Sequence, residues 1–284
     1  MTFGHKVMKK FRRSFFSLAR SLHNNNGLRN IRKNVELHNT LTKYLESSKS
    51  IGCSYSDYWI LYSYIKKHKP REILECGTGV STIVMAHALM ENEKEGHLRA
   101  RITSMEDQEV WYEHAHKIMP DHLRPYVELV LGERTEYCYT IFRGVGYREL
   151  PDRPYEFVFV DGPQTQAPSD GKVTFDFDYI NVVMKSDNPV FGIVDKRFAT
   201  SYVLQKIFGS DKVRFSPSYE LCFVGPFTKK DLRGNPASFR HSFRILGRTE
   251  LALRMRYCHR EEHRQSPLEK SVEPQGAKGG LQKT

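Results

Sequence analysis

The sequence predicts an α/β domain: a doubly wound, mostly parallel sheet with helices on both faces and a helical extension at the N-terminus. Apolar runs of strand length, such as residues 157–160, alternate with segments in which apolar residues recur at helical spacing. Each helix between two such strands has to pack back onto the sheet, which favours parallel strands covered on both faces. A chain of 284 residues that is 39% hydrophobic and 27% charged also has the composition of a folded protein.

The predicted elements begin with a helix at 57–67 and then alternate. The segment 71–76 is a short, largely apolar strand, and the helix at 81–90 carries apolar residues around most of its surface. Asp176 and Asp178, near the start of a later helix, are expected to be capping or first-turn acids. The remaining strands are predicted at 101–105, 127–131, 155–160, 190–194, 212–215 and 221–224, and the remaining helices at 109–119, 175–184 and 200–208.

The positive charge lies at the two ends of the chain. Residues 1–50 contain 11 Lys and Arg against 2 Asp and Glu, residues 51–227 contain 20 against 25, and residues 228–284 contain 13 against 6. We therefore expect a basic helical N-terminal extension (1–50), the sheet domain (51–227) and a basic C-terminal extension (228–284), with a mobile tail from about residue 266. Contact with a nucleic acid or an anionic membrane is expected only from these ends.

The first 22 residues have the pattern of a basic amphipathic helix, and residues 24–27 are expected to end it. This pattern fits a membrane-surface helix, an organellar transit peptide, a nucleic-acid arm, or a helix packed on its own domain. Its apolar residues at helical spacing are Phe3, Val7, Phe11, Phe15, Leu18 and Leu22, and the cations at other positions are Lys6, Lys9, Lys10, Arg12, Arg13 and Arg20.

Acidic residues follow the strands of the central sheet, and ligands of such sheets bind beyond these strand ends. After the first strand, Glu75 is followed by Gly77 and Gly79, which allow a tight turn where a ligand can approach the backbone. Glu106 ends the next strand, where a carboxylate can accept both hydroxyl hydrogens of a ribose. A nucleoside-containing cofactor is therefore expected.

The same loop argues against a dinucleotide. Thr82 stands at the position of the third glycine in the dinucleotide fingerprint. Glu75 is expected near the mouth of the loop, where its charge would repel a pyrophosphate and attract the amino group of a methionine moiety.

The loop Glu75-x-Gly77-x-Gly79-x-Ser81 resembles the first motif of the class I S-adenosylmethionine-dependent methyltransferases. Ser81, in place of a third glycine, is similar to the small-molecule and catechol-type O-methyltransferase branch. By element order the resemblance covers residues 55–227, and it implies a Rossmann-like methyltransferase fold with S-adenosylmethionine as cofactor. The cofactor-binding residues expected on this basis are Glu75, Gly77, Gly79, Ser81, Thr82, Glu106, Asp107, Glu133 and Asp161.

Three residues that follow later strands are expected to be catalytic: Asp161, Asp195 and Lys196. In the metal-dependent catechol-type enzymes that the chain resembles, an Asp after the fourth strand and an Asp-Asn pair after the fifth bind magnesium. Lys196 stands in place of that Asn, and an ammonium cannot ligate a metal, although it can occupy the cation's place and stabilise an alkoxide. Gln164 stands in place of the family's catalytic lysine, so a divalent metal is not favoured and no metal ligands are predicted.

The acceptor is expected to be a hydroxyl group of a small molecule or a glycan. The segment Asp161-Gly162-Pro163-Gln164 lacks the aromatic residue typical of enzymes that methylate base amines, and the chain has no Pro-Cys dipeptide. Residues 134–154, 162–174 and the N-terminal helices are expected to build the acceptor pocket. Three alternatives stay open: an aminopropyltransferase-like enzyme, an RNA ribose methyltransferase, and a non-catalytic module that binds a polyanion or a membrane.

Five cysteines without a CxxC pair support neither a disulfide scaffold nor a zinc site of that type, so a reducing compartment is expected. No apolar run approaches the roughly 20 residues of a membrane-spanning helix. The predicted location is cytoplasmic, peripheral to a membrane if the basic helix binds one, or organellar if residues 1–34 are a transit peptide.

Overall fold

The computed structural model describes residues 3–49, 52–139 and 142–233, with side chains from residue 15 onward. The predicted C-terminal extension beyond residue 233, including its tail, lies outside the described residues. The strands are β1 (Glu72–Cys76), β2 (Arg101–Glu106), β3 (Val127–Leu131), β4 (Arg134–Tyr139), β5 (Phe142–Tyr147), β6 (Phe157–Val160), β7 (Phe175–Asp176), β8 (Val190–Asp195), β9 (Val213–Ser216) and β10 (Leu221–Phe227).

Helices alternate with strands from β1 to β3 and again from β7 to β9, as the sequence predicts, whereas β3 to β7 follow one another without an α-helix. Within the described ranges, no helix has an apolar stretch long enough to cross a bilayer. The helices are α1 (Phe3–Lys33), α2 (Val35–Ser47), α3 (Tyr55–His68), α4 (Val80–Lys94), α5 (Glu109–Ile118), α6 (Asp178–Lys185) and α7 (Phe198–Phe208).

Seven strands form the main sheet in the order β3-β2-β1-β6-β8-β10-β9. Neighbours are parallel from β3 to β8, whereas β10 runs antiparallel to β8 and β9. The chain moves outward from β1 to β3 and then returns with β6 to the other side of β1. The strand order therefore reverses between β1 and β6, and in sheets of this kind ligands bind at the carboxyl ends beside that reversal.

Helices cover both faces of the main sheet, which confirms the predicted doubly wound α/β class. Successive residues of a strand point to opposite faces, and the neighbours Ile73 and Leu74 in β1 join different core clusters. Ile73 belongs to the cluster that contains Leu61 of α3 and Ile83 of α4. Leu74 belongs to the cluster that contains Leu204 of α7, on the other face.

The predicted helix break at residues 24–27 is wrong, because α1 continues to Lys33. Gly27 is buried where α1 crosses the start of α3, and a Cβ on Gly27 would lie 2.4 Å from the carbonyl oxygen of Tyr55. The backbone N–H of Tyr55 also donates to Asn24 Oδ1 at 2.8 Å. The glycine therefore allows a close helix contact instead of ending the helix. Ile31 of α1 and Leu37 of α2 are fully buried in the same core cluster as α3 and α4.

A second, three-stranded sheet in the order β4-β5-β7 was not predicted. No strand was predicted within residues 134–154, which were expected to build the acceptor pocket, and the helix expected from 175 starts only at Asp178, after β7. Gly144 and Gly146 lower the strand propensity of β5, but the packing requires them. A Cβ on Gly144 would lie 2.9 Å from the Phe175 ring, and one on Gly146 would lie 2.6 Å from Asp178 Oδ1.

Three cysteines are free thiols within the described residues. They are Cys53, Cys76 and Cys222, and the last two are buried. The reducing compartment expected from the sequence stays a prediction.

We predict that Gly27→Ala lowers the thermal stability of the protein although alanine is the better helix former. The added methyl group has no room against Tyr55, and forcing extra carbon into a packed contact costs about 1 to 3 kcal/mol. Asn25→Ala, an exposed change in the same helix, is the control. Equal or higher unfolding midpoints for Gly27→Ala than for Asn25→Ala in calorimetry would contradict the contact.

Candidate functional site

The candidate site lies where the loops after β1 and β6 meet. Gly77 has a φ of +95°, in the left-handed region that favours glycine, and a Cβ on it would lie 2.8 Å from the backbone nitrogen of Gly162. A Cβ on Gly162 would in turn lie 2.6 Å from Gly77 Cα. The two loops therefore touch backbone to backbone. The residues directly after β1 therefore lie beside the residues directly after β6.

Glu75, near the end of β1, stabilises the contact between the two loops from inside the protein. Its side chain is fully buried, and its carboxylate accepts hydrogen bonds from Ser81 Oγ at 2.6 Å, Thr82 Oγ1 at 2.5 Å and Ser104 Oγ at 2.6 Å. Burial raises the pKa of Glu75 to about 7, and the three hydroxyls oppose this rise. The expected position at the mouth of the loop is wrong, because Glu75 joins β1, β2 and the start of α4 inside the protein.

The start of α4 uses its polar side chains for the same internal network. Thr82 Oγ1 also accepts the backbone N–H of Gly79 at 3.0 Å, and Thr78 Oγ1 lies 2.9 Å from Ser104 Oγ. The hydroxyls of Ser81 and Thr82 are thus engaged with Glu75 and with the loop. What α4 offers to a ligand here is its N-terminal backbone, where the first N–H groups of a helix have no partner within the helix.

Glu106 is placed next to the glycine loop, at the end of β2. It is 6% exposed, and its Oε1 accepts the backbone N–H groups of Asp107 and Gln108, each at 3.0 Å. Burial raises the pKa of Glu106, while backbone donors that include Thr78 in the glycine loop lower it. The carboxylate is therefore fixed in direction by backbone groups at the strand end.

Asp107 and Glu133 differ from Glu106 in their surroundings. Asp107 Oδ2 lies 2.8 Å from Arg134 Nε, and Arg134 Nη1 donates to the carbonyls of Gln164 at 3.1 Å and Gln166 at 3.3 Å. Arg134 thus connects the end of β2 with the loop after β6. Glu133 is exposed and pairs with Arg148 at 2.6 Å. Its described contacts do not join it to the glycine loop.

Asp161 and Asp195 meet at Cys53, which sequence analysis did not single out. Cys53 Sγ lies 3.6 Å from Asp161 Oδ2 and 3.6 Å from Asp195 Oδ2. Asp195 is 3% exposed, and its Oδ1 has no hydrogen-bond partner among the described residues. Burial, followed by the charge of Asp161, raises the pKa of Asp195 to about 7. Burial also raises the pKa of Asp161.

Lys196 lies beside Asp195 and also beside Asp57, which the sequence analysis did not identify as a site residue. Its Nζ lies 3.5 Å from Asp195 Oδ2 and 3.9 Å from Asp57 Oδ2. Asp57 is buried in the capping box that opens α3, where it accepts the backbone N–H of Ser54 at 2.9 Å. Burial lowers the pKa of Lys196, but Asp195 and Asp57 outweigh it and leave that pKa raised. The lysine therefore remains an ammonium between two carboxylates.

Arg197 locks the loop that carries these residues. Its guanidinium donates to Asp176 Oδ1 and to the Pro163 carbonyl, both at 2.6 Å, and to the Asp161 carbonyl. The expected helix role of Asp176 is wrong, since it lies in β7 and binds Arg197 and Thr200 Oγ1. Asp178 is a first-turn acid of α6, as predicted.

The cluster contains donors that a metal could use, but they do not fit magnesium well. Donor atoms of Cys53, Asp57 and Asp195 all lie within 4.8 Å of one another. Magnesium prefers oxygen ligands in octahedral geometry, whereas this group includes a thiol and already has the Lys196 ammonium beside both carboxylates.

A cavity of about 360 Å³ lies at the opposite end of the sheet. It is lined by residues 150–155, which precede β6, and by residues 181, 182 and 185–188, which lead into β8. Residues 150–154 belong to the segment predicted to build the acceptor pocket, but none of the predicted cofactor-binding or catalytic residues lines this cavity. The strand-end cluster thus remains the candidate site.

Residues 74–191, fewer than half of the chain, match the model of a protein family described as a methyltransferase domain. The match runs from β1 into β8 and includes the glycine loop, Glu106 and Asp161. It confirms the resemblance to methyltransferases over this segment. Comparison with curated protein sequences finds no match.

The solved structures that align with this chain include two methyltransferases. An O-methyltransferase of Streptomyces achromogenes, TomG, which is involved in tomaymycin synthesis and was crystallised with S-adenosylmethionine, is 16% identical with a TM-score of 0.44; the alignment covers 66% of this chain and 89% of that chain. The methyltransferase PaMTH1 of Podospora anserina, bound to S-adenosylhomocysteine, is 14% identical with a TM-score of 0.39, covering 56% and 63%. Likenesses this distant do not identify a substrate or a mechanism.

The burial of Glu75 predicts a pH-dependent stability. The unfolded chain releases this proton near the ordinary pKa of 4.5 and the folded protein near 7, so the folded protein binds more protons in between. The free energy of unfolding should therefore fall as the pH rises from 4.5 to 7, with roughly 3 kcal/mol due to Glu75.

The measurement is urea unfolding of the wild type and of Glu75→Gln across this pH range. The wild-type free energy should fall more steeply with pH than that of the variant, because the other titrating groups are common to both. Parallel curves would show that the pKa of Glu75 is not raised by folding.

Proposed function

We propose that the protein is an S-adenosylmethionine-dependent methyltransferase that methylates a hydroxyl group of a small molecule or a glycan without a metal. The observation that carries the proposal is the backbone contact between Gly77 and Gly162. This contact places the glycine loop after β1, which lies beside Glu106, next to the loop after β6 and the cluster of Asp195 and Lys196.

The division of the chain into an N-terminal extension (1–50), a sheet domain (51–227) and a C-terminal extension (228–284) stays a prediction.

The residues around the glycine loop fit the cofactor. The backbone of Gly77 and Gly79 and the start of α4 would face the methionine part, and Glu106 would accept the two ribose hydroxyls. Asp161, beside Gly162, would border the methionine end, and Asp107 would lie on the nucleoside side. Glu75, Ser81 and Thr82 are positioning residues in this proposal, because their polar atoms bind one another.

The acceptor side has a base and a cation in contact. S-adenosylmethionine supplies a methyl group that is already activated by its sulfonium, so the protein mainly has to orient the acceptor and remove its proton. Asp195 Oδ1, which is buried and without a partner among the described residues, can accept that proton. The acceptor oxygen would then use its freed electron pair to form the new O–C bond while the C–S bond of the sulfonium breaks, its electron pair stays on sulfur, and S-adenosylhomocysteine leaves. Lys196 stabilises the negative charge that develops on this oxygen.

The surroundings of Asp195 match this role. A general base works best when its pKa lies near the working pH, and burial together with Asp161 brings the pKa of Asp195 to about 7. Asp57 keeps Lys196 beside it from the other side. Asp57 is thus a positioning residue that acts through the ammonium.

We predict that Glu106→Ala weakens binding of S-adenosylmethionine at least tenfold. Hydrogen bonds to a charged group contribute about 1.5 to 3 kcal/mol, and a loss of about 1.4 kcal/mol corresponds to a factor of ten. The measurement is calorimetric titration with S-adenosylmethionine and S-adenosylhomocysteine. Glu109→Ala, a nearby exposed acid, is the control and should bind both as the wild type does. Unchanged affinity in Glu106→Ala would remove the ribose role.

We predict that Asp195→Asn lowers kcat about 10² to 10⁴-fold while S-adenosylmethionine affinity is kept. In the wild type, kcat/KM should rise with pH through an inflection near 7, because the base has to be deprotonated, and the variant should lose this inflection. The assay follows S-adenosylhomocysteine release with a panel of phenols and sugars.

Asp152→Asn, an exposed acid in the segment before β6, is the matched control and should behave as the wild type. An active Asp195→Asn variant with an unchanged pH profile would assign the base to another group. Loss of cofactor binding in Asp195→Asn would mean that this residue acts on the cofactor side instead.

A further inference from the structure

Helix α1 exposes a row of large apolar side chains. Phe15 is 60% exposed, and Leu18 and Leu22 are each 61% exposed. Their spacing of three and four residues places them on one face of the helix. In the sequence, Phe3, Val7 and Phe11 continue the same spacing toward the N-terminus. Contiguous exposed apolar surface of this kind marks an interaction site more often than a solvated face.

The sequence around this row is basic. No Asp or Glu precedes Glu36, whereas Lys6, Lys9, Lys10, Arg12 and Arg13 all fall within the first 22 residues. Arg20 follows them and pairs with Glu220 of the same chain. Residues 51–227 carry a slight excess of acids. The exposed apolar row thus continues a segment whose sequence is basic and free of acids, and a partner that is both apolar and anionic complements it.

We propose that α1 docks in the plane of an anionic membrane surface, with Phe15, Leu18 and Leu22 in the lipid and the cations at the headgroups. An amphipathic helix with a basic polar face binds such surfaces through buried apolar area and attraction to anionic lipids. A nucleic acid would use the cations but would leave the three apolar side chains in water. A second copy of α1 would bring two acid-free basic segments together, and their repulsion opposes pairing.

The rest of α1 holds this surface next to the candidate site. Arg20 pairs with Glu220, and the His23 ring stacks on Tyr219 with centroids 4.1 Å apart. The backbone carbonyl of Glu220 accepts the backbone N–H of Lys196 at 3.0 Å. Helix α1 is thus fixed to the turn that holds the catalytic loop of the proposed function. Docking on lipid would bring the acceptor side close to the membrane, but the docking itself does not depend on the enzyme activity.

The test is flotation of the full-length protein with two kinds of vesicle. One consists of phosphatidylcholine alone, and the other also contains roughly 30% phosphatidylserine, which gives the vesicle a negative surface potential. The wild type should bind the anionic vesicles at least tenfold better than the neutral ones. The double variant Leu18→Ser/Leu22→Ser should lose at least a further tenfold on anionic vesicles, since burying a leucine contributes about 1.5 to 3 kcal/mol.

Leu98→Ser is the matched control, because Leu98 is 69% exposed but lies in the segment before β2, away from α1. It should bind as the wild type does. All variants are first compared by circular dichroism and unfolding midpoint, which should not change because the side chains are exposed. Vesicle binding is compared only among variants whose circular dichroism and unfolding midpoint match those of the wild type. If the Leu18→Ser/Leu22→Ser variant does not match, the double variant Leu18→Gln/Leu22→Gln takes its place.

Several results would overturn the proposal. Equal binding of the wild type and the double variant to anionic vesicles would mean that the cations alone bind the lipid. If both proteins also bound a single-stranded RNA with equal affinity, the contact would be a general one with polyanions. A dimer in light scattering that becomes a monomer in the double variant would assign the row to contact between copies. Absence of vesicle binding by the wild type at 150 mM salt would also refute it.

Discussion

The buried carboxylate of Glu75 is the interaction on which the candidate site depends. An isolated carboxylate in an apolar core is costly unless its oxygens are hydrogen-bonded. Here Ser81, Thr82 and Ser104 supply those bonds from α4 and β2. The requirement to satisfy one charge therefore fixes where the helix starts and how β1 and β2 align. The sharp turn at Gly77 is held between these fixed elements.

The second constraint is the balance of charge at the other half of the site. Asp57, Asp161 and Asp195 come from three different elements, and Lys196 is the ammonium beside two of them. Arg197 points elsewhere, to Asp176 and to the carbonyls of the β6 loop. The two adjacent basic residues therefore have different roles. Lys196 lies within the acid cluster, and Arg197 holds the backbone around it.

The central sheet could be predicted from the sequence because its signals are local. Apolar runs such as 157–160 have no helical spacing, and the helices between them do. Glu106, Asp161, Asp195 and Lys196 were proposed as site residues for the same reason, since each ends a strand or directly follows one. The family match supports the class of the enzyme over 74–191, while the roles of the individual residues stay predictions.

The errors arise where a distant contact decides. Gly27 has the signature of a helix end, but the carbonyl of Tyr55, 28 residues later, is what excludes a side chain there. Gly144 obscures β5 for the same reason, because Phe175 fills the space. Cys53 and Asp57 have ordinary local meanings, a loop cysteine and a capping acid. Only the fold brings them to Asp195.

The bridge made by Arg134 has a consequence for how ligands are handled. One guanidinium holds Asp107, beside the proposed ribose acid, and the carbonyls of Gln164 and Gln166 in the loop expected to face the acceptor. The end of β2 and the loop after β6 are therefore connected through a single side chain. In the proposed function this connection would favour compulsory order, in which the acceptor enters after the nucleoside has bound.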